Sequence, residues 1–108
     1  MPTLPDSAYD QISGCVTEKD FQETVTSRAE ELGWWWYHVA DSRRSRPGFP
    51  DLVLVKPPKV IFLEVKREKG RLTVAQAEVL AMLEDCSEVQ AAVVRPTDWG
   101  QVVEWLSS

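Results

Sequence analysis

The chain has 108 residues, of which 44% are hydrophobic and 27% charged, and its net charge is −5. That is the size and make-up of one folded domain and excludes disorder of the whole chain. No apolar run reaches the ~18–20 residues of a membrane span, and two cysteines, Cys15 and Cys86, are too few for a disulfide scaffold or a structural zinc site. The charge is unevenly spread. Nine of the twelve basic residues lie between Arg43 and Arg71, opposed only by Asp51, Glu64 and Glu68, so this segment is net +6. Such a chain can turn a basic face toward a phosphate backbone while the rest stays acidic; a mixed solvated surface is the plainer reading.

Residues 1–16 show no periodicity and no basic segment followed by an apolar one, and are read as a mobile leader. The domain proper then spans 17–108. Thr17 is a helix N-cap, with Glu18 and Asp20 in the first turn, and Phe21, Val25, Ala29 and Leu32 follow at helical spacing up to Gly33. Trp34 to Val39 is aromatic and β-branched and predicts a strand, with Trp35, Tyr37 and Val39 on one face and Trp34, Trp36 and His38 on the other. Asp41 to Pro50 is a polar loop. Leu52 to Val55 and Val60 to Lys66 are two apolar strands separated by Pro57-Pro58, close enough to pair antiparallel. Thr73 opens a second helix, with Gln76 completing a capping box and Leu80 and Leu83 giving it an apolar face. Val89 to Arg95 is a further strand, and Asp98 is expected to cap a last helix. The order is α-β-β-β-α-β-α, an α/β domain.

Chemistry concentrates in Gly48-Phe49-Pro50-Asp51 and Glu64-Val65-Lys66. Asp51 starts an otherwise apolar strand, and Glu64 and Lys66 sit late in another. Charges there are costly unless paired or bound to metal. Glu64 and Lys66 leave the same strand face, and antiparallel pairing brings Asp51 beside them. Two carboxylates with a backbone carbonyl make a hard-oxygen site suited to Mg²⁺, and Lys66 could orient a water or stabilise charge on a phosphate. A salt bridge that merely holds the hairpin satisfies the same pattern. At about 100° per residue, Gln22, Val25 and Ala29 fall close to Glu18 on the first helix, so Glu18 and Gln22 lie on its core-facing stripe. Glu18 is then either a third carboxylate for the metal or a charge that favours the helix N-terminus. Arg43, Arg44 and Arg46 on the polar loop, and Lys69 and Arg71 around Gly70, could hold phosphates or face solvent. The Trp34–Trp36 run could stack bases, pack in the core or form a dimer contact.

The chain resembles the VRR-NUC domain family, a branch of the PD-(D/E)XK nucleases. The likeness spans about residues 17–106. It rests on Glu18 and Gln22, Gly33-Trp34, Tyr37-His38, Asp41-Ser42-Arg43-Arg44-Ser45, Gly48-Phe49-Pro50-Asp51, Glu64-Val65-Lys66, Gly70-Arg71-Leu72-Thr73, Gln76, Arg95-Pro96 and Asp98-Trp99. The resemblance implies a restriction-endonuclease-like core with a mixed central sheet flanked by helices. It implies a Mg²⁺- or Mn²⁺-dependent DNA endonuclease without an organic cofactor. Asp51, Glu64 and the Val65 carbonyl would be metal ligands, Lys66 the water-positioning lysine, Glu18 the helix acid and Gln76 a glutamine near the active centre, although the capping box explains Gln76 equally well. Ser42, Gln22, Arg43, Arg44, Arg46, Lys69 and Arg71 would contact DNA. Stand-alone members are similar to junction resolvases, which implies a homodimer acting on branched DNA such as four-way junctions. A bacterial or phage-infected cytosol and a repair role fit that likeness. The alternatives are a sequence-specific restriction-type endonuclease and a non-cutting DNA-binding module.

Overall fold

The computed structural model describes residues 13–39 and 46–108. Helix α1 (Glu18–Glu31) begins where the Thr17 hydroxyl accepts the Asp20 amide at 3.1 Å. Glu18 and Asp20 in its first turn complement the helix dipole. Phe21, Val25 and Ala29, four apart, are wholly buried, so one stripe of the helix faces the core. The helix stops at Gly33, whose φ of +86° is accessible to glycine at little cost. The chain doubles back at once. The Trp34 amide donates to the Ala29 carbonyl at 2.9 Å, and the Trp34 indole donates to the Leu106 carbonyl at 3.0 Å.

Strand β1 (Trp35–His38) therefore starts one residue later than its aromatic run suggests. It pairs antiparallel with β2 (Leu52–Lys56), which pairs antiparallel with β3 (Lys59–Val65) across a tight turn at Pro57-Pro58. Helix α2 (Val74–Glu84) then crosses over to β4 (Gln90–Val94), which lies parallel to β3. The sheet order is β1-β2-β3-β4. Directly opposed residues share a face. Leu52 opposite Leu63 and Leu54 opposite Ile61 are buried, and form the main core with α1 and with α3 (Trp99–Ser107). The other face carries Trp35, Tyr37, Val53, Phe62 and Glu64, with α2 packed along its β4 side. This is the α/β, mixed-sheet architecture expected of a restriction-endonuclease-like core, in the expected element order. No helix among the described residues is long and apolar enough to cross a membrane.

Two local expectations change. Most of the proposed leader lies outside the described residues, but Ser13–Cys15 form a 3₁₀ turn and Val16 packs against the core. Asp98 occupies the N-cap position of α3, but its side chain makes no cap hydrogen bond there. Its carboxylate turns back to accept the Arg95 amide at 2.9 Å, closing a 3₁₀ turn over Pro96–Asp98.

The Trp34 indole joins α1's exit to the last helix through one buried hydrogen bond. Trp34→Phe trims the packing ring and orphans the Leu106 carbonyl, and should lower unfolding free energy by at least about 1–3 kcal/mol in urea titration.

Candidate active site

The hairpin register sets the site. With Leu52 opposite Leu63, Asp51 falls opposite Glu64. Asp51 is tied down at both ends. Its carbonyl accepts the Val39 amide at 2.8 Å, and its carboxylate Oδ2 accepts the Val65 amide at 3.0 Å. The Lys66 amide donates to the Val94 carbonyl at 3.0 Å, which commits that stretch of β3 to β4. A strand residue sends its N–H and C=O to the same edge, and neighbours alternate. The Val65 carbonyl therefore faces the β2 side, where Asp51 stands.

Glu64 is the most constrained group. Its side chain is 1% exposed. Oε2 accepts a hydrogen bond from the Gln76 side-chain Nε2 at 3.1 Å and lies 3.5 Å from the Lys66 ammonium, itself 12% exposed. Oε1 is buried with no hydrogen-bond partner among the described residues. Burial first, and the neighbouring Asp51 carboxylate second, push the Glu64 carboxyl from an ordinary value of 4.5 up to about 8. Lys66 pulls the other way and does not offset them.

The surrounding backbone holds these groups in place. Gly48 has φ +100°, and a Cβ there would sit 2.4 Å from the Ala75 carbonyl oxygen, so the loop before Asp51 is pressed against the first turn of α2. Phe49 meets Phe62 edge-on at 5.8 Å between centroids, and Pro50 is buried. At the same helix start, the Thr73 hydroxyl accepts the Gln76 amide at 3.1 Å, and the Gln76 side-chain oxygen accepts the Thr73 amide at 2.9 Å. The oxygen of Gln76 thus caps the helix while its NH₂ reaches Glu64, so the capping contact and the contact with Glu64 coexist.

Two adjacent carboxylates at a low-dielectric strand end, one with an orphaned oxygen and both near a carbonyl, match what a hard divalent cation requires. Among the described residues no group of three His, Cys, Asp or Glu side chains could hold a metal ion. Glu18 is thus not gathered with Asp51 and Glu64. It stands half-buried at the start of α1 and lines a separate hollow of about 220 Å³ with Arg67, Glu68 and Lys69, just past Lys66 in the chain. The protein would supply two carboxylates and a carbonyl, leaving the other positions to water and phosphate, which Mg²⁺ tolerates.

The expected DNA contacts scatter. Ser42, Arg43 and Arg44 lie outside the described residues. Arg46 is exposed beside Phe49 and Met82, in a hollow of about 430 Å³ against α2. Gln22 is half-buried on α1, Lys69 shares the hollow with Glu18, and Arg71 is exposed. Sequence reasoning missed the support behind Lys66. Both Glu68 carboxylate oxygens take Thr97 groups, the amide at 3.0 Å and the hydroxyl at 2.8 Å, and the Arg95 guanidinium donates to the Gly70 carbonyl at 2.9 Å. These contacts tie the segment after β3 to the turn after β4. The only early sign was Arg95-Pro96 within the resemblance, because partners 25 and 29 residues apart leave no local pattern.

The model of the VRR-NUC domain family matches residues 11–98, most of the chain. The chain belongs to the VRR-NUC family. As a VRR-NUC domain it is a nuclease domain within the PD-(D/E)XK superfamily, with DNA as its substrate. No curated protein and no solved structure matches it significantly.

The raised Glu64 carboxyl links proton binding to folding. The unfolded group ionises near 4.5 and the folded one near 8, so the folded state holds the extra proton in between. Its contribution to stability is full below pH 4.5 and is lost as pH rises toward 8. Urea titrations in EDTA should find the wild type losing stability between pH 5 and pH 8, and Glu64→Gln should flatten that slope.

Proposed function

We propose that this domain is a Mg²⁺-dependent DNA endonuclease, selective for branched DNA such as four-way junctions and acting as a homodimer. The buried Glu64 carboxylate carries the reading, with one oxygen unpartnered, Asp51 opposite it and Lys66 on the same face. A plain salt bridge would match one carboxylate with one ammonium. Here there are two carboxyl groups for one ammonium, and without a further cation burial makes Glu64 keep its proton rather than its charge.

Asp51, Glu64 and the Val65 carbonyl are the groups that would hold the cation. A bound divalent ion supplies Lewis-acid polarisation of the scissile phosphate and lowers the pKa of a water. Lys66 approaches from the Glu64 side and would orient the attacking water and stabilise charge developing on the phosphate oxygens. The water oxygen bonds to phosphorus, the bond from phosphorus to the 3′ oxygen breaks, and that oxygen takes a proton. The products are a 5′-phosphate and a 3′-hydroxyl. Gln76 holds Glu64 in place through its amide and anchors it to the α2 N-terminus. Arg43, Arg44, Arg46, Lys69 and Arg71 would hold phosphates flanking the cut, with an affinity that falls as salt rises.

The described residues of each chain hold one such centre, so paired cuts across a junction require two copies. The family resemblance favours that arrangement and a role in phage or bacterial DNA repair.

The test is cleavage of end-labelled four-way junction, flap, blunt duplex and single strand, with Mg²⁺ or Mn²⁺ and with EDTA. Paired nicks across the junction are expected, abolished by EDTA and reduced at least about 100-fold by Lys66→Ala. Cutting at one short sequence in plain duplex would replace structure selectivity with a restriction-type activity. Absence of cutting in either metal by folded protein would overturn the enzyme reading in favour of a binding module.

A further inference from the structure

Of the three consecutive tryptophans, two have structural employment. Trp34 is buried with its indole on the Leu106 carbonyl, and Trp36 packs against the core with its indole donating to Glu30 at 3.2 Å. Trp35 has none of this. It is 62% exposed, and its neighbour on the same strand face, Tyr37, is 52% exposed. Their rings are 12° from parallel with centroids 6.3 Å apart. Two large aromatic side chains held upright and in parallel on an edge strand, in water, are not explained by the core.

Their position ties them to the active centre. Tyr37 is opposite Val53, and Val53 is opposite Phe62, so all three share the sheet face from which Glu64 projects two residues beyond Phe62. Along β1, Tyr37 is two residues from Val39, whose amide binds the Asp51 carbonyl. With strands ~4.8 Å apart and ~3.4 Å per residue along them, the Tyr37 and Asp51 backbones are about 8 Å apart, and Trp35 is one ring further out. Among the described residues of this sheet face, the row Val53, Val55, Val60 and Phe62 is uncharged until Asp51, Glu64 and Lys66.

We propose that Trp35 and Tyr37 form a platform on which unpaired nucleobases of the DNA substrate stack while the adjoining phosphate lies at Asp51 and Glu64. The proposal rests on the DNA-cutting reading above and adds that bases next to the cut are unpaired in the bound substrate, as they are at a flap or where the central pairs of a junction open. The 6.3 Å between the ring centroids is close to two stacking steps of ~3.4 Å each. Bases inside a duplex have their π-faces covered by neighbours, whereas unpaired bases offer them to aromatic side chains. A second copy of the chain fits this patch poorly. The two rings expose on the order of 250 Å² together, against the ~800 Å² that each partner of a stable interface buries.

Binding of fluorescein-labelled oligothymidine, a splayed-arm substrate and blunt duplex, followed by anisotropy in EDTA, separates stacking from cleavage. Trp35→Ala and Tyr37→Ala should each weaken binding of oligothymidine and splayed arm about tenfold, leave blunt duplex within about twofold, and keep the wild-type urea midpoint. Trp35→Phe should restore most of the loss. In the unaltered protein, 2-aminopurine in the single strand should be quenched on binding, and Trp35→Ala should relieve that quenching. Equal loss on duplex and single strand, no loss on either, or dissociation of a dimer by these substitutions would overturn the platform. Ring-dependent binding of single strands by a protein that cuts no DNA would support the platform while refuting the nuclease reading. Cutting that proceeds with single-strand affinity unaffected by either substitution would do the reverse.

Discussion

The site depends on one enforced contact between like charges. The β2–β3 register leaves Asp51 and Glu64 no choice but to face each other, because slipping one strand by a residue would turn either Leu52 and Leu54 or Ile61 and Leu63 out of the core. Two carboxyl groups this close, one of them sealed from water, cannot both carry full charge without a compensating cation. The Lys66 ammonium neutralises one of them at best. The core therefore does more than stabilise the fold: it forces together a pair that is uncomfortable without a compensating cation, which is the ground for proposing one there.

Much of the second layer serves that pair. Helix α2 contributes little to the main core, where α1 and α3 dominate, and several of its apolar residues stay exposed. What α2 provides is its N-terminus. Ala75 meets the Gly48 loop that delivers Asp51, and Gln76 reaches Glu64. Behind Lys66, Glu68 and Arg95 fasten the outgoing chain to the turn that follows β4. Asp51, Glu64 and Lys66 are thus held from the loop before β2, from α2 and from the end of β3, without depending on a single element. If these three are the groups that meet DNA, as proposed, such rigidity would position them before substrate arrives.

The sequence was informative where the signals were local. Thr17 and Thr73 cap helices as their neighbours suggested, the apolar spacing of Phe21, Val25 and Ala29 marked the buried stripe, and alternation assigned Trp35 and Tyr37 to one face. The juxtaposition of Asp51 and Glu64 was also legible, because an antiparallel hairpin converts two sequence positions into one spatial one. Local signals misled at Asp98, where a residue well suited to N-capping found a closer donor in the Arg95 amide. They were silent on Glu68 and Thr97, whose meeting depends on the parallel β3–β4 pairing. The helical wheel set Glu18 on the inner stripe, but a wheel gives an angle and not a distance. Glu18 lies instead over the hollow beside Arg67 and Lys69, apart from the two carboxylates. The division of labour within the tryptophan run was beyond sequence for the same reason, since it depends on where α3 passes.

The central claim is that the Asp51–Glu64 pair is a cation site. It is tested most directly by calorimetric titration of Mg²⁺ or Mn²⁺ into the protein near pH 7, in two buffers of different ionisation enthalpy. A carboxyl held protonated up to about pH 8 must release its proton to take a cation. Saturable binding with about one proton released per ion is therefore expected, and both should be lost in Glu64→Gln. Binding without proton release, or binding undiminished by Glu64→Gln, would contradict it.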